Sequence, residues 1–155
     1  MRNFLPAPFS FKGRIGRKRY WALTLLYTFA LLVGMGLFVT LGIVLNAGSN
    51  DAITFVLVAI AIVFLLTMSV AIAAIGVRRL HDRGKVGYWL LLYYAVPSWL
   101  SNHAGLDAVG LRIAAAALGV FLWGLGDLGM LHGEAGSNAF GPDPLADDPA
   151  PQPAN

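Results

Sequence analysis

The sequence predicts an all-α, polytopic membrane protein built as a bundle of four transmembrane helices. Three observations carry that prediction. Of 155 residues, 57% are hydrophobic and only 12% are charged, whereas a soluble domain has roughly 25% charged residues. The charged residues cut the chain into long oily runs, and nearly all basic residues gather on one side of them. A globule of this composition would lack the polar surface to cover itself, and lipid as the solvent removes that shortage. There is no cysteine, which excludes disulfides, thiolate metal sites and cysteine nucleophiles. A pI near 9.5 would suit nucleic acid. The placement of the basic residues argues for membrane topology instead, and no nucleic-acid partner is expected.

The first uncharged run covers residues 20–50, the second 52–77 and the third 86–106. A spanning helix needs about 20 apolar residues, because the hydrocarbon core is about 30 Å thick and each residue rises 1.5 Å. All three qualify by length. The fourth is weaker, since only residues 113–126 are free of charge. Extending it to residues 107–128 takes in Arg112, whose long stem can carry its charge to the interface; otherwise the segment is re-entrant or interfacial. The link at residues 46–51 reads as a turn. Pro97 lies inside the third run and removes a backbone donor there. Small residues four apart, such as Thr67 and Ala71 or Ala115 and Gly119, would let helices approach closely.

The charges set an orientation. Arg2, Lys12, Arg14, Arg17, Lys18 and Arg19 precede the first run, and Arg78, Arg79, Arg83 and Lys85 lie between the second and third; only Arg112 falls on the other side. Basic residues in short flanking segments stay in the cytoplasm. Residues 1–19 are therefore expected to form a cytoplasmic, interfacial segment, residues 20–131 the membrane domain, and residues 132–155 a cytoplasmic tail. Roughly the last dozen residues should be disordered. The first run is too long for a cleavable signal peptide and reads as a retained anchor.

Three stretches are candidates for function. In the first, residues 11–21, Arg14 and Arg17 are three apart, and Tyr20 and Trp21 sit where the chain enters the oily run, a place that suits aromatic rings at headgroup level. The second, residues 76–89, ends the second helix with Arg78 and Arg79, where cations suit the helix dipole. Gly84 reads as its stop residue. His81 and Asp82 are neighbours, so a helix does not face them toward each other, and no nucleophile accompanies them. Asp127, near the inner end of the fourth run, either pairs at membrane depth, where Arg78 or Arg79 would lie, or already sits in the headgroup layer. The third stretch, residues 137–144, holds two X-Pro turns. His81, His103 and His132 have no metal-ligand spacing, and no phosphate loop or dinucleotide fingerprint is present. No metal and no cofactor are expected, and no catalytic residue is assigned.

These stretches resemble the bacterial inner-membrane family collected as domain of unknown function 805. Phe11, Gly13, Arg14, Arg17, Tyr20 and Trp21 match its opening pattern. Arg78, Arg79, Leu80, His81 and Asp82, followed by Gly87 and Trp89, match its middle one. Asn138, Gly141, Asp143 and Pro144 match the closing one, with Phe140 where tyrosine is usual and Ala139 where a basic residue is common. The resemblance covers roughly residues 9–144. It implies a bacterial inner-membrane location and supplies no reaction.

Topology and resemblance together predict one cluster on the cytoplasmic face. Arg14 and Arg17 would lie near Arg78 and Arg79, with Tyr20, Trp21 and Trp89 as an apolar rim and the turn from Asn138 through Phe140 and Asp143 folded over them. His81 and Asp82 would fix the loop. The leading expectation is a non-catalytic binding or structural module whose arginines grip anionic lipid headgroups or a membrane partner, either another protein or a second copy. The alternatives are an enzyme acting on a lipid or phosphorylated substrate through His81 and Asp82, and an oligomeric transporter or pore subunit.

Overall fold

The computed structural model describes residues 9–45 and 51–146. The expected turn at 46–51 falls largely outside the described residues, as do residues 147–155, where most of the expected disorder would lie. The described chain is helical: α1 is Arg17–Val44 (28 residues), α2 Asp51–Asp82 (32 residues), α3 Trp89–Asn102 (14 residues) and α4 Ala108–Gly129 (22 residues). No strand occurs among the described residues, which hold one isolated bridge between Asn138 and Gly141.

Three helices, α1, α2 and α4, are long and apolar enough to cross a membrane. The third and fourth runs trade places in strength. The third is helical only over Trp89–Asn102, about 21 Å at 1.5 Å per residue, short of the roughly 30 Å of hydrocarbon. Its first residues, Val86 to Tyr88, are instead drawn into a tight turn whose carbonyls accept from Trp89, Leu90 and Leu91. The fourth run, which needed an allowance for Arg112, gives the longer helix. It starts cleanly because the Asp107 carboxylate accepts from the Gly110 amide at 3.0 Å, an N-cap.

The chain divides into two compact units, one built on Ala22–Ala74 and the other on Phe11–Trp21 with the described residues from Ile75 onward. In the first unit α1 and α2 approach where Gly34 lies under the Phe64 ring, and Phe64 packs on Phe38 with ring centroids 5.7 Å apart. Large apolar side chains are left open: Phe29 and Leu32 are each 67% exposed, and Ile43 and Phe55 each 75%. Such a surface is stable against lipid tails and would aggregate in water. Two hydroxyls in these helices are satisfied locally. Thr40 and Thr67 bond back to the Gly36 and Val63 carbonyls at 2.9 and 2.7 Å, as a hydroxyl in lipid must.

In the second unit α2 ends on Gly84, whose φ of +67° is left-handed. The Lys85 amide reaches Leu80 O at 2.9 Å and the Gly84 amide His81 O at 3.1 Å, the Schellman arrangement that glycine permits. The chain then turns into α3, and Leu90 lies where Gly76 has no side chain. α3 and α4 pack closely through Gly124, where a Cβ would sit 2.6 Å from Tyr93 Cβ. Pairs of rings, Trp89–Trp123 and Tyr94–Phe121, line the same seam. Gly119, expected to mark a close approach, faces open space. Gly34, Gly76, Gly124 and Gly129 instead make close approaches, each beneath a large side chain.

Gly124→Ala should therefore destabilise the protein by about 1–3 kcal/mol, the usual cost of overpacking. Gly119→Ala should be neutral or stabilising by up to about 1 kcal/mol through helix propensity. Unfolding in detergent micelles, compared between the two variants, checks the pair.

Candidate functional site

α4 stops at Gly129, and the last carbonyls of a helix have no partners within it. Here each carbonyl of residues 128–132 accepts from a side chain of another segment. Arg79 Nε donates to Leu128 O at 2.7 Å, Trp21 Nε1 to Gly129 O at 3.0 Å and Arg17 Nη1 to Met130 O at 2.9 Å. Arg79 Nη2 takes Leu131 O and Arg83 Nη1 takes His132 O. Cations at a helix C-terminus also oppose its dipole. Arginine suits the task because its planar fork spreads five donors over separated acceptors, whereas the three donors of a lysine ammonium share one nitrogen.

The carboxylate of Asp82, 2% exposed, ties the fork of Arg79 to the N-terminal segment. Arg79 Nη1 donates to Asp82 Oδ2, and Arg14 Nε donates to Asp82 Oδ1 at 3.2 Å. The side chains of Arg14 and Arg79 are 1% and 0% exposed, so a carboxylate between them is required; a buried guanidinium without one would be costly. Arg14 continues outward. Its Nη1 reaches Gly136 O at 2.6 Å and Gly141 O at 3.3 Å, and its Nη2 reaches Glu134 O. One arginine near the start of the chain thus holds carbonyls across the closing segment.

Residues 133–143 are fastened by further bonds. The Glu134 amide donates to Asp82 O at 2.7 Å, and Gly133 passes where a Cβ would strike the Asp82 carboxylate. Asn138 Nδ2 donates to His81 O at 2.9 Å and to Glu134 Oε2 at 2.8 Å. The His81 ring stacks on Phe140, with centroids 4.0 Å apart and planes 2° from parallel, while His81 Nδ1 lies 3.2 Å from Gly13 O. The Asp143 carboxylate accepts from the Leu145 and Gly136 amides, each at 2.9 Å. These bonds hold its pKa below the ordinary value, with Arg14 helping.

A second group surrounds Asp127, which is 2% exposed. Its Oδ1 accepts from Arg83 at 3.2 Å, and its Oδ2 from Lys85 Nζ at 2.8 Å and from the Tyr93 hydroxyl at 2.9 Å. Burial alone would lower the Lys85 pKa, but hydrogen bonds to Asp127 and Tyr93 outweigh it and hold the ammonium above its ordinary range.

The structure brings Arg14, Arg17, Trp21, Arg79, His81, Asp82, Asn138, Phe140 and Asp143 into one cluster, and corrects three details. Asp127 is not paired with Arg78 or Arg79; Arg79 is turned toward Asp82 and the end of α4, and Arg83 and Lys85 take Asp127 instead. Tyr20 is no rim residue, being 3% exposed. Trp89 lies on the Asp127 side, where Lys85 Nζ sits 4.7 Å from its ring. Arg78 is buried, and its carbonyl accepts from the Ile15 amide at 3.3 Å. Sequence reasoning missed Lys85, Tyr93, Trp123 and Glu134 as site residues and Arg83 as more than loop charge. For Tyr93 the usable signal was its position: four residues after Trp89, it falls on the same face of α3. Among the described residues no group of three or more His, Cys, Asp or Glu could hold a metal ion.

Taken together, fold and cluster define a helical membrane protein whose polar interior lies at the helix ends. The chain belongs to the family described as "Protein of unknown function (DUF805)", whose model matches residues 8–142. It is similar to the "Uncharacterized protein YiiR" of Escherichia coli strain K12, 35% identical over 143 residues, covering 87% of this chain and 86% of that one. The protein of the same name from Escherichia coli O157:H7 matches equally. No solved structure matches.

Arg79→Lys keeps the charge beside Asp82 but abandons carbonyls at 128 and 131. The buried Leu128 carbonyl left without a donor should cost about 1–3 kcal/mol, and the part-buried Leu131 carbonyl less. Arg112→Lys, at an exposed position, should change stability by less than about 0.5 kcal/mol. Paired unfolding measurements in detergent separate the two.

Proposed function

We propose that the protein is a non-catalytic module of the bacterial inner membrane whose arginine-bound end lies at the cytoplasmic face and meets anionic headgroups. The observation that carries this reading is the sorting of the basic residues. Arg14, Arg17, Arg79, Arg83 and Lys85 belong to one cluster at the C-terminal end of α4, while Arg112 stands near the opposite end of that helix. Basic residues flanking spans are retained in the cytoplasm, so this sorting supports an inward-facing cluster.

Within it the arginines divide by role. Arg14 and Arg79 are engaged by protein acceptors and do not offer a fork to phosphate. Contact with anionic lipid falls instead to the partly open cations: Arg83 and Lys85, with side chains 23% and 24% exposed, and Arg17, half-buried against the end of α4. Each basic side chain near an anionic leaflet adds about 1 kcal/mol of attraction. The enzyme reading finds less support. A general base needs an orienting partner and a reachable proton. His81 is stacked on Phe140 and directed at a backbone carbonyl, and the Asp82 carboxylate is taken up by Arg14 and Arg79.

The chain lacks cysteine, so a single introduced thiol reports topology without background. Ala139→Cys should resist a membrane-impermeant maleimide in intact spheroplasts and label once the membrane is breached. Labelling in intact spheroplasts would overturn the orientation and the headgroup reading with it.

A further inference from the structure

The group around Asp127 does something the arginine cluster does not: it encloses an ammonium. Lys85 Nζ lies 4.7 Å from the Trp89 ring centre and 5.8 Å from those of Tyr93 and Trp123. It also donates to the Tyr93 hydroxyl at 3.1 Å and to Asp127 at 2.8 Å. Aromatic faces over a cation, closed by a carboxylate, are the chemistry by which proteins recognise alkylammonium ligands. The walls also pack on one another. Trp89 meets Trp123 edge-on at 5.8 Å and 86°, Tyr93 meets Trp123 at 5.4 Å and 73°, and all three rings project from α3 and α4. The occupant, by contrast, comes from the non-helical link between α2 and α3, and its side chain is 24% exposed. A box built on two helices therefore holds a cation at the end of a lysine's four-carbon stem.

We propose that the Trp89–Tyr93–Trp123 box with Asp127 is a binding site for the primary ammonium of a membrane lipid headgroup, closed in the unliganded state by Lys85. The exchange conserves charge, because one ammonium leaves as another enters and Asp127 never lacks a partner. Arg83 stays on Asp127 Oδ1 throughout. Once displaced, Lys85 stands at the mouth of the box, where it can meet the phosphate of the same headgroup. A phosphoethanolamine group carries both charges a short distance apart and fits both halves. A trimethylammonium group fits less well, since it has no N–H for Asp127 or the Tyr93 hydroxyl to accept. The lipid source rests on the reading that this end of the protein lies at the membrane surface; the preference for a primary ammonium does not.

The experiment uses the full chain and Lys85→Ala. In detergent, thermal unfolding followed by tryptophan emission is measured across a titration of ethylammonium chloride against equal sodium chloride. A tethered lysine acts at an effective concentration of order millimolar or above. Lys85→Ala should therefore be stabilised saturably, with a midpoint at least about tenfold below any seen for the wild type, and choline should act more weakly. If Lys85→Ala folds poorly, restoration of its transition by ethylammonium is the same supporting result. The double variant Lys85→Ala with Trp123→Leu should lose the response. No saturable response in Lys85→Ala would overturn the site and leave a structural ion pair only. The lipid arm places wild type and Lys85→Ala in nanodiscs of phosphatidylethanolamine or of phosphatidylglycerol alone. A stabilisation of Lys85→Ala specific to phosphatidylethanolamine supports the proposal, and a response to ethylammonium but not to that lipid would overturn the lipid assignment. Because the detergent arm has no leaflet, its failure and a wrong membrane orientation are read separately.

Discussion

The bond between an arginine side chain and a main-chain carbonyl is what the polar end of this protein depends on. A helix end leaves carbonyls without partners in the helix, and where one is buried, as at Leu128, leaving it unpaired is expensive. Residues 128–132 present a run of them, and Arg17, Trp21, Arg79 and Arg83 satisfy it. Burying those cations then requires counter-charge, which Asp82 and Asp127 supply from α2 and α4. Three features of the sequence that look unrelated — two basic motifs, two isolated aspartates and a Pro-rich closing turn — meet in that one need.

The described interior accordingly admits charged side chains among its apolar ones. Its most buried large side chains include Arg79 beside Tyr93, Ile75, Leu80 and Leu128, while phenylalanines and leucines of α1 and α2 lie open. Hydrophobic burial cannot hold the closing segment, which offers little more than Phe140 to pack. Directional bonds do so instead, from Arg14 to three carbonyls and from Asn138 to His81 O. Such bonds have a geometry that a single methylene can disturb. That makes Gly133, passing against the Asp82 carboxylate, as constrained as any core residue.

The helices were legible in the sequence because lipid imposes length and apolarity on any spanning element, and charges mark where each must stop. Gly84 as a helix stop was legible for the same kind of local reason. The short α3 was not, because Val86 to Tyr88 are apolar enough to continue a helix, and only their turn hydrogen bonds exclude it. Partner choice was legible only in part. The position of Asp127 called for a cation, but which one depends on direction around the helix and on the course of the loop. Arg79 faces the end of α4, while Arg83 and Lys85, just past the end of α2, reach Asp127. No spacing in the sequence records that the N-terminal arginine would meet carbonyls more than a hundred residues away.

The most direct measurement is native-state hydrogen exchange at the amides of Glu134, Gly136, Asn138 and Gly141, which lie outside any helix yet donate to Asp82 O, to the Asp143 carboxylate and to each other. Slow exchange in the wild type, accelerated across all four by Arg14→Lys, is the expected result. Exchange at unstructured-chain rates in the wild type would contradict an arginine-held closing segment and remove the cluster with it.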